Sequence, residues 1–250
     1  MHYREHGFVE LLTPDGYNPK TKKGRARGYS TAILHLAPAN LSGFEVCAYR
    51  TPGCSAACLN TAGHGGIIKR GETTNEVQLA RIARTRLFFT DRFTFNVVLV
   101  KAIETHARRA RKNGLVPVVR LNGTSDLPWE RLRLNDGRTV LETFADLQFY
   151  DYTKNAKRAI ANANGEHPAN YHLTFSRAES NQADVNAVVA AGGNVAVVFA
   201  KEIPDLFNGR RVVNGDLDDL RFLDPRDVYV GLKAKGRGRS DTSGFVVRAA

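Results

Sequence analysis

The sequence predicts an α/β protein built on parallel strands, read as a partial (β/α)6 barrel. From residue 31 onward, short runs rich in β-branched and aromatic residues alternate with helical patterns, the signature of parallel strands joined by crossover helices. Six such runs occur in series. No G-x-G-x-x-G or G-x-x-x-x-G-K-[ST] follows any of them, which weakens the alternative of an open doubly wound nucleotide-binding sheet.

The expected strands are TAILHLA (31–37), VPVVRLN (116–122), LQFYDYT (147–153), YHLTFS (171–176), NVAVVFA (194–200) and DVYVGLK (227–233). Between the first two lies a long helical region, TTNEVQLARIARTRLFF followed by FTFNVVLVKAIETHARRARKNG, with Asn113-Gly114 as its stop signal. Shorter helices are expected at 138–145, 154–162 and 181–191, the last ending at Gly192-Gly193. No repeat or low-complexity linker interrupts the chain. The 250 residues therefore read as one domain: an N-terminal extension (1–28), a core (29–233) and a C-terminal extension (234–250) with a candidate last strand, SGFVVRA.

A hydrophobic content of 42% is ordinary for a soluble globular protein. The N-terminus MHYREHGFVE lacks the apolar block of a signal peptide, and no stretch approaches the roughly 20 apolar residues that cross a bilayer. A cytoplasmic protein with no membrane association is the expectation. The formal net charge is +11, partly from the runs KTKKGRARG (20–28), ARRARK (107–112) and KAKGRGR (233–239). Such a field suits anionic partners, nucleic acid above all; solvated helix ends and loops are the competing explanation.

The three cysteines, Cys47, Cys54 and Cys58, fall within twelve residues, CAYRTPGCSAAC, and the chain has no others. In a reducing compartment an odd trio favours a metal or a reactive thiol over a disulfide. The trio follows the first core strand, and β/α architectures gather their ligands in the loops at the carboxyl ends of strands. Zinc closed by a fourth ligand such as His64 is one reading, although the spacing lacks paired C-x2-C knuckles. A [4Fe-4S] cluster on three cysteines, leaving one iron open, is another. Thiols that are merely buried, or a cysteine nucleophile served by His64, complete the set.

Three cysteines in a loop directly after the first strand of a β6/α6-type pattern resemble the radical S-adenosylmethionine superfamily. The chain departs from the usual C-x3-C-x2-C motif, with C-x6-C-x3-C and Ala57 before the last cysteine. It is also similar to an uncharacterised family of phage-encoded proteins sharing the cysteine segment, with LNTAG after it and a later NGTSD. The superfamily resemblance implies that Cys47, Cys54 and Cys58 bind a [4Fe-4S] cluster whose open iron chelates S-adenosylmethionine. Reductive cleavage by an external electron donor would then yield a 5′-deoxyadenosyl radical that abstracts hydrogen from a substrate.

The same resemblance implies cofactor contacts at the strand ends. Asn122, Gly123, Ser125 and Asp126, in NGTSD, stand where the methionine amino group would be received, with Asp126 as acceptor; an Asx turn explains the same letters. Ser176, Arg177 and Glu179 stand where ribose and carboxylate contacts would lie, or simply precede a helix capped by Ser180. Tyr152 and Lys201 are added as polar groups near the ends of the third and fifth strands. His35 and His172 read as hydrogen-bonded core or rim residues, and Trp129 either covers the site or packs. The competing function is a basic nucleic-acid-binding protein with a structural zinc or thiol loop, and the substrate of a radical enzyme would be nucleic acid, a nucleotide or another anion.

Overall fold

The computed structural model describes residues 4–17 and 19–248, and its centre is a ten-stranded, mostly parallel sheet. In chain order the elements are β1 (Leu12–Thr13), α1 (Pro19–Arg25), β2 (Tyr29–Leu34), α2 (Ala39–Ser42), α3 (Pro52–Ala56), α4 (Glu76–Thr90), α5 (Arg92–Lys112), β3 (Val116–Arg120), α6 (Val140–Thr143) and β4 (Gln148–Thr153). There follow α7 (Ala156–Ala163), β5 (Tyr171–Ser176), α8 (Gln182–Ala190), β6 (Val195–Phe199), β7 (Leu206–Phe207), β8 (Arg210–Asn214), β9 (Tyr229–Lys233) and β10 (Val246–Val247).

The strand order is β1-β2-β3-β4-β5-β6-β9-β8-β7, with β10 paired to β6. All six expected strands are present, as β2 to β6 and β9, each parallel to the next. Their order in space is their order in the chain, so the sheet has no switch point of the doubly wound kind. The sheet is open, with β1 and β7 at its edges.

The helices that connect sequential parallel strands pack on one face of the sheet. Alternate strand residues face them: Ala32, Leu34, Val119, Phe149 and Leu173 share a core with Phe95, Val98 and Leu99 of α5. A second cluster joins Phe175, Val195, Val197 and Phe199 to Ala159 of α7 and to Val185 and Val188 of α8. The helix boundaries follow local chemistry: Asn75 accepts from the Gln78 N–H at the start of α4, and Asp91 from the Thr94 N–H at the start of α5. The expected stop after α5 is the Asn113-Gly114 pair, where Gly114 takes φ +69°.

The opposite face carries Arg120, Tyr150 and Tyr152, and the segment 215–224 after β8 covers part of it. Asp219 accepts from Arg120 Nη1 and from Tyr150 Oη, both at 2.9 Å. Phe222 packs its ring against Tyr150 and Tyr29. Asp219 and Arg221 are buried.

Both flanking segments join the sheet. β1 pairs antiparallel with β2. At the other end Val246 pairs with Val198 and Val247 with Phe199, whereas β5 pairs with Val195 and Ala196. β10 therefore lies against β6 beyond the end of β5, which brings the C-terminal segment to the carboxyl ends of the strands. Of the expected strand SGFVVRA, Ala249 lies outside the described residues.

Candidate functional site

The cysteine segment is more structured than its letters suggest. After β2 the chain turns at α2, which ends at Gly43 with φ +81°, and Val46 is buried immediately before Cys47. Thr51 then caps α3: its hydroxyl accepts from the Cys54 N–H at 3.2 Å, and Pro52 occupies the first turn. Cys54 thus sits on a short capped helix. Cys58 follows it and leads into a 3-10 turn over Leu59–Thr61, with Thr61 Oγ1 donating to the Cys58 carbonyl at 2.9 Å.

The three thiols are neighbours, each within electrostatic range of the other two. Burial pushes the Cys47 thiol up to about 12, with Asp126 and the other two thiols adding to the effect. Burial also raises Cys58, opposed by the Asn60 N–H, Arg81 and Lys154. Thiols so raised, Cys47 and Cys58, are not poised as nucleophiles. No group of three or more His, Cys, Asp or Glu side chains among the described residues is arranged to hold a metal ion. His64 is exposed, its carbonyl accepting from Asn75 Nδ2.

Beside Cys58 stands a cation that the sequence reading did not single out. Arg81 of α4 is 8% exposed and donates from Nη1 to Asn60, at 3.1 Å to the carbonyl and 2.8 Å to Oδ1. Among the described residues no carboxylate pairs with it, and its Nε has no hydrogen-bond partner. Burial lowers its pKa, and Cys58 in its thiolate form is the charge that would act the other way. A buried guanidinium with no carboxylate partner among the described residues, next to a group of thiols, is a signal visible only in the fold, because Arg81 reads in sequence as one more basic residue of a helix.

The NGTSD segment lies against the cysteine loop. Asp126 N–H donates to the Val46 carbonyl at 2.7 Å, and Cys47 Sγ donates to the Thr124 carbonyl at 3.9 Å. Thr124 Oγ1 donates to Leu36 O at 2.6 Å. Gly123 lies so close to β2 that an added Cβ would meet Leu34 O at 2.7 Å and His35 Cδ2 at 2.8 Å, so glycine is required by space. Asn122 organises the turn: its Oδ1 accepts from Ser125 Oγ, the Leu127 N–H and Trp129 Nε1, and its Nδ2 donates to Leu127 O. Trp129 is a buried packing residue against Phe88 and Phe95.

Asp126, the expected acceptor, is already engaged. Its Oδ1 accepts from Arg158 Nη1 at 2.6 Å and its Oδ2 from the Lys154 N–H at 2.8 Å. Glu179 is engaged too, with the cysteine helix itself: Oε1 accepts from the Gly53 N–H at 2.7 Å and Oε2 from Thr51 Oγ1 at 2.8 Å. Arg177 donates from Nη1 to the carbonyls of Gly244 and Phe245, fastening the C-terminal segment. Ser176 Oγ accepts from Lys154 Nζ at 2.8 Å.

Tyr152 faces Arg120, whose guanidinium lies 4.8 Å from its ring centroid, and burial raises its phenol. His35 bonds Thr13 and His172 bonds Thr174, as hydrogen-bonded side chains of the strands' face and rim. Lys201 is exposed after β6 and has no hydrogen bond or ion pair among the described residues. The structure thus gathers Cys47, Cys54, Cys58, the Asn122–Asp126 turn, Ser176, Arg177 and Glu179 at one rim, with Lys154 and Arg81 added to them.

No curated protein and no solved structure matches the chain. A family model described as Gene product 88 matches residues 11–249, which covers nearly the whole sequence, including the cysteine segment, the NGTSD turn and β10. The chain belongs to the Gene product 88 family of phage proteins.

Proposed function

We propose that this protein is a radical S-adenosylmethionine-type enzyme, with Cys47, Cys54 and Cys58 as the ligands of a [4Fe-4S] cluster. The observation that carries the reading is the meeting of three thiols with the NGTSD turn at the carboxyl ends of parallel strands in sequential order. That order is also what a partial (β/α)6 barrel requires.

Three thiols with no fourth cysteine are the donor set of a cluster with one open iron. A tetrahedral zinc about 2.3 Å from each sulfur needs sulfurs roughly 4 Å apart and a fourth ligand. A polynuclear cluster would instead spread the three cysteines over separate irons and leave a fourth iron open. The buried Arg81 supplies positive charge where thiolates and a cluster would be negative. When bound, the group would chelate the methionine end of S-adenosylmethionine and pass it one electron from an external donor, splitting the sulfonium into methionine and a 5′-deoxyadenosyl radical.

The chain's own residues divide into positioning and contact roles. Glu179 and Asp126 position, because their oxygens already accept from α3, Lys154 and Arg158. Lys154, Ser176 and Tyr152 lie on the sheet face opposite the long helices or at its rim, and offer an ammonium and hydroxyls to an anionic cosubstrate or substrate. Asn122 and Gly123 shape the turn whose backbone faces the cysteine loop.

The test is product formation. The anaerobically reconstituted chain, given S-adenosylmethionine and dithionite, is expected to release 5′-deoxyadenosine and methionine, and the C47A/C54A/C58A variant is not. Iron-loaded protein that releases neither product would overturn the reading.

A further inference from the structure

Two of the basic runs that stand far apart in sequence meet in space. KTKKGRARG forms α1 and leads into the amino end of β2, while ARRARK forms the last turns of α5 and leads into the amino end of β3. These two strand entries are hydrogen-bonded neighbours: Val116 N–H donates to Gly28 O at 2.8 Å, and Tyr29 pairs with Val116. Arg25 of α1 and Lys101 and Arg109 of α5 line one cleft of about 230 Å³. A second cleft, of about 300 Å³, lies beside α5 and is lined by Arg108 and Arg111.

The acidic groups in these clefts are mostly occupied. Asp146 pairs with Arg111 at 2.6 Å, Glu10 with Arg109 at 3.8 Å, and Asp15 accepts from Ser30 Oγ at 2.9 Å with Arg25 at 3.5 Å. Glu104 also lines the second cleft. Lys22, Lys101, Arg108 and Lys112 are exposed and have no carboxylate partner among the described residues. Helix-dipole compensation accounts for cations in the last turns of α5, but not for their meeting with those of α1.

We propose that this end of the molecule is a docking surface for the phosphodiester backbone of a nucleic acid. Grooved, basic and rich in flexible ammonium and guanidinium groups, it suits a chain of evenly spaced phosphates. It lies at the opposite ends of the strands from the thiols, roughly 20 Å away along a six-residue strand such as β2. It is therefore a tethering surface separate from the thiol rim, and it stands whether or not the cysteines carry a cluster.

The test is fluorescence anisotropy of the full chain with labelled single-stranded DNA, duplex DNA and RNA, each in rising salt. Binding to at least one is expected. With about four phosphates neutralised, affinity should fall roughly 50- to 150-fold between about 50 and 200 mM salt. The variant K22A/K101A/R108A/K112A should bind at least tenfold more weakly and with a shallower salt slope. A variant removing four exposed charges from two other segments, K69A/R70A/R237A/R239A, should bind as the native chain does, which separates a site from mere net charge. The proposal is overturned by failure to bind any of the three at low salt, by equal losses in the two variants, or by equally effective competition from polyglutamate of matched charge.

Discussion

Glu179, just beyond β5, holds the first turn of the helix that carries Cys54: its carboxylate accepts the Gly53 N–H at 2.7 Å. The other oxygen takes the hydroxyl of Thr51, which itself caps the helix. A residue 126 positions away in sequence thus fixes the angle at which the middle thiol is presented. Gly53 has no room for a Cβ, which would press on the Glu179 carboxyl at 2.8 Å and collide with the Ser243 hydroxyl.

E179A is expected to cost about 1–2 kcal/mol through the loss of hydrogen bonds to a carboxylate. G53A should displace the same carboxylate, so the double variant E179A/G53A should melt close to the worse single variant rather than at the sum. Thermal unfolding of the four proteins checks this, and strict additivity would show that the two residues act independently.

Much of the architecture was readable before the fold. The six parallel strands announce themselves because buried β-branched runs between turn residues have few alternatives, and α4 and α5 because their caps and the Asn113-Gly114 stop are local. Helix α3 escaped notice although Thr51-Pro52 is an ordinary helix start, because five residues show no periodicity. β8 and the segment covering Arg120 and Tyr150 were missed because RRVVN is short and Asp219 finds its partner 99 residues away.

The thiols and the NGTSD turn could be placed together from sequence, since each follows one of two adjacent parallel strands. The occupied state of Asp126 could not. Its partner Arg158 is 32 residues downstream, and no local pattern announces the pair.

Asp219 and Arg120 form a buried pair, their side chains 4% and 12% exposed. D219N leaves the guanidinium without its counter-charge and should cost roughly 3–5 kcal/mol. Replacing both, as R120M/D219L, should recover a large part of that loss, because no charge then remains uncompensated. Chemical denaturation of the three proteins decides it: a double variant no more stable than D219N would contradict the account.

Asp151 is buried, and desolvation raises its pKa to about 7 although Arg120, the Asn122 N–H and Tyr171 Oη favour the ionised form. The native state therefore holds a proton that the unfolded chain has released between about pH 4 and 7. Stability from this group is full below pH 4 and is lost as pH rises through 7, on the order of 4 kcal/mol. The stability difference between the native chain and D151N should shrink by that order from pH 4 to pH 8. A difference independent of pH over that range would show that Asp151 titrates in its ordinary range.

Arg81 is predicted to matter for cluster loading more than for the fold. R81M should keep less than half the native iron per chain after identical anaerobic reconstitution, and R81K most of it. Melting of the iron-free protein should fall by no more than about 2 kcal/mol, since the hydrogen bonds to Asn60 are lost along with an unpaired buried charge. Equal iron content in all three proteins would leave Arg81 a structural residue only.

The most direct measurement is electron paramagnetic resonance of the anaerobically reconstituted and reduced protein, with and without S-adenosylmethionine, beside its iron and sulfide content. The account predicts about four irons and four sulfides per chain, an S = 1/2 signal from the reduced cluster, and a change in that signal when S-adenosylmethionine is added. Protein that stays colourless and iron-free, or a cluster signal indifferent to S-adenosylmethionine, would contradict it.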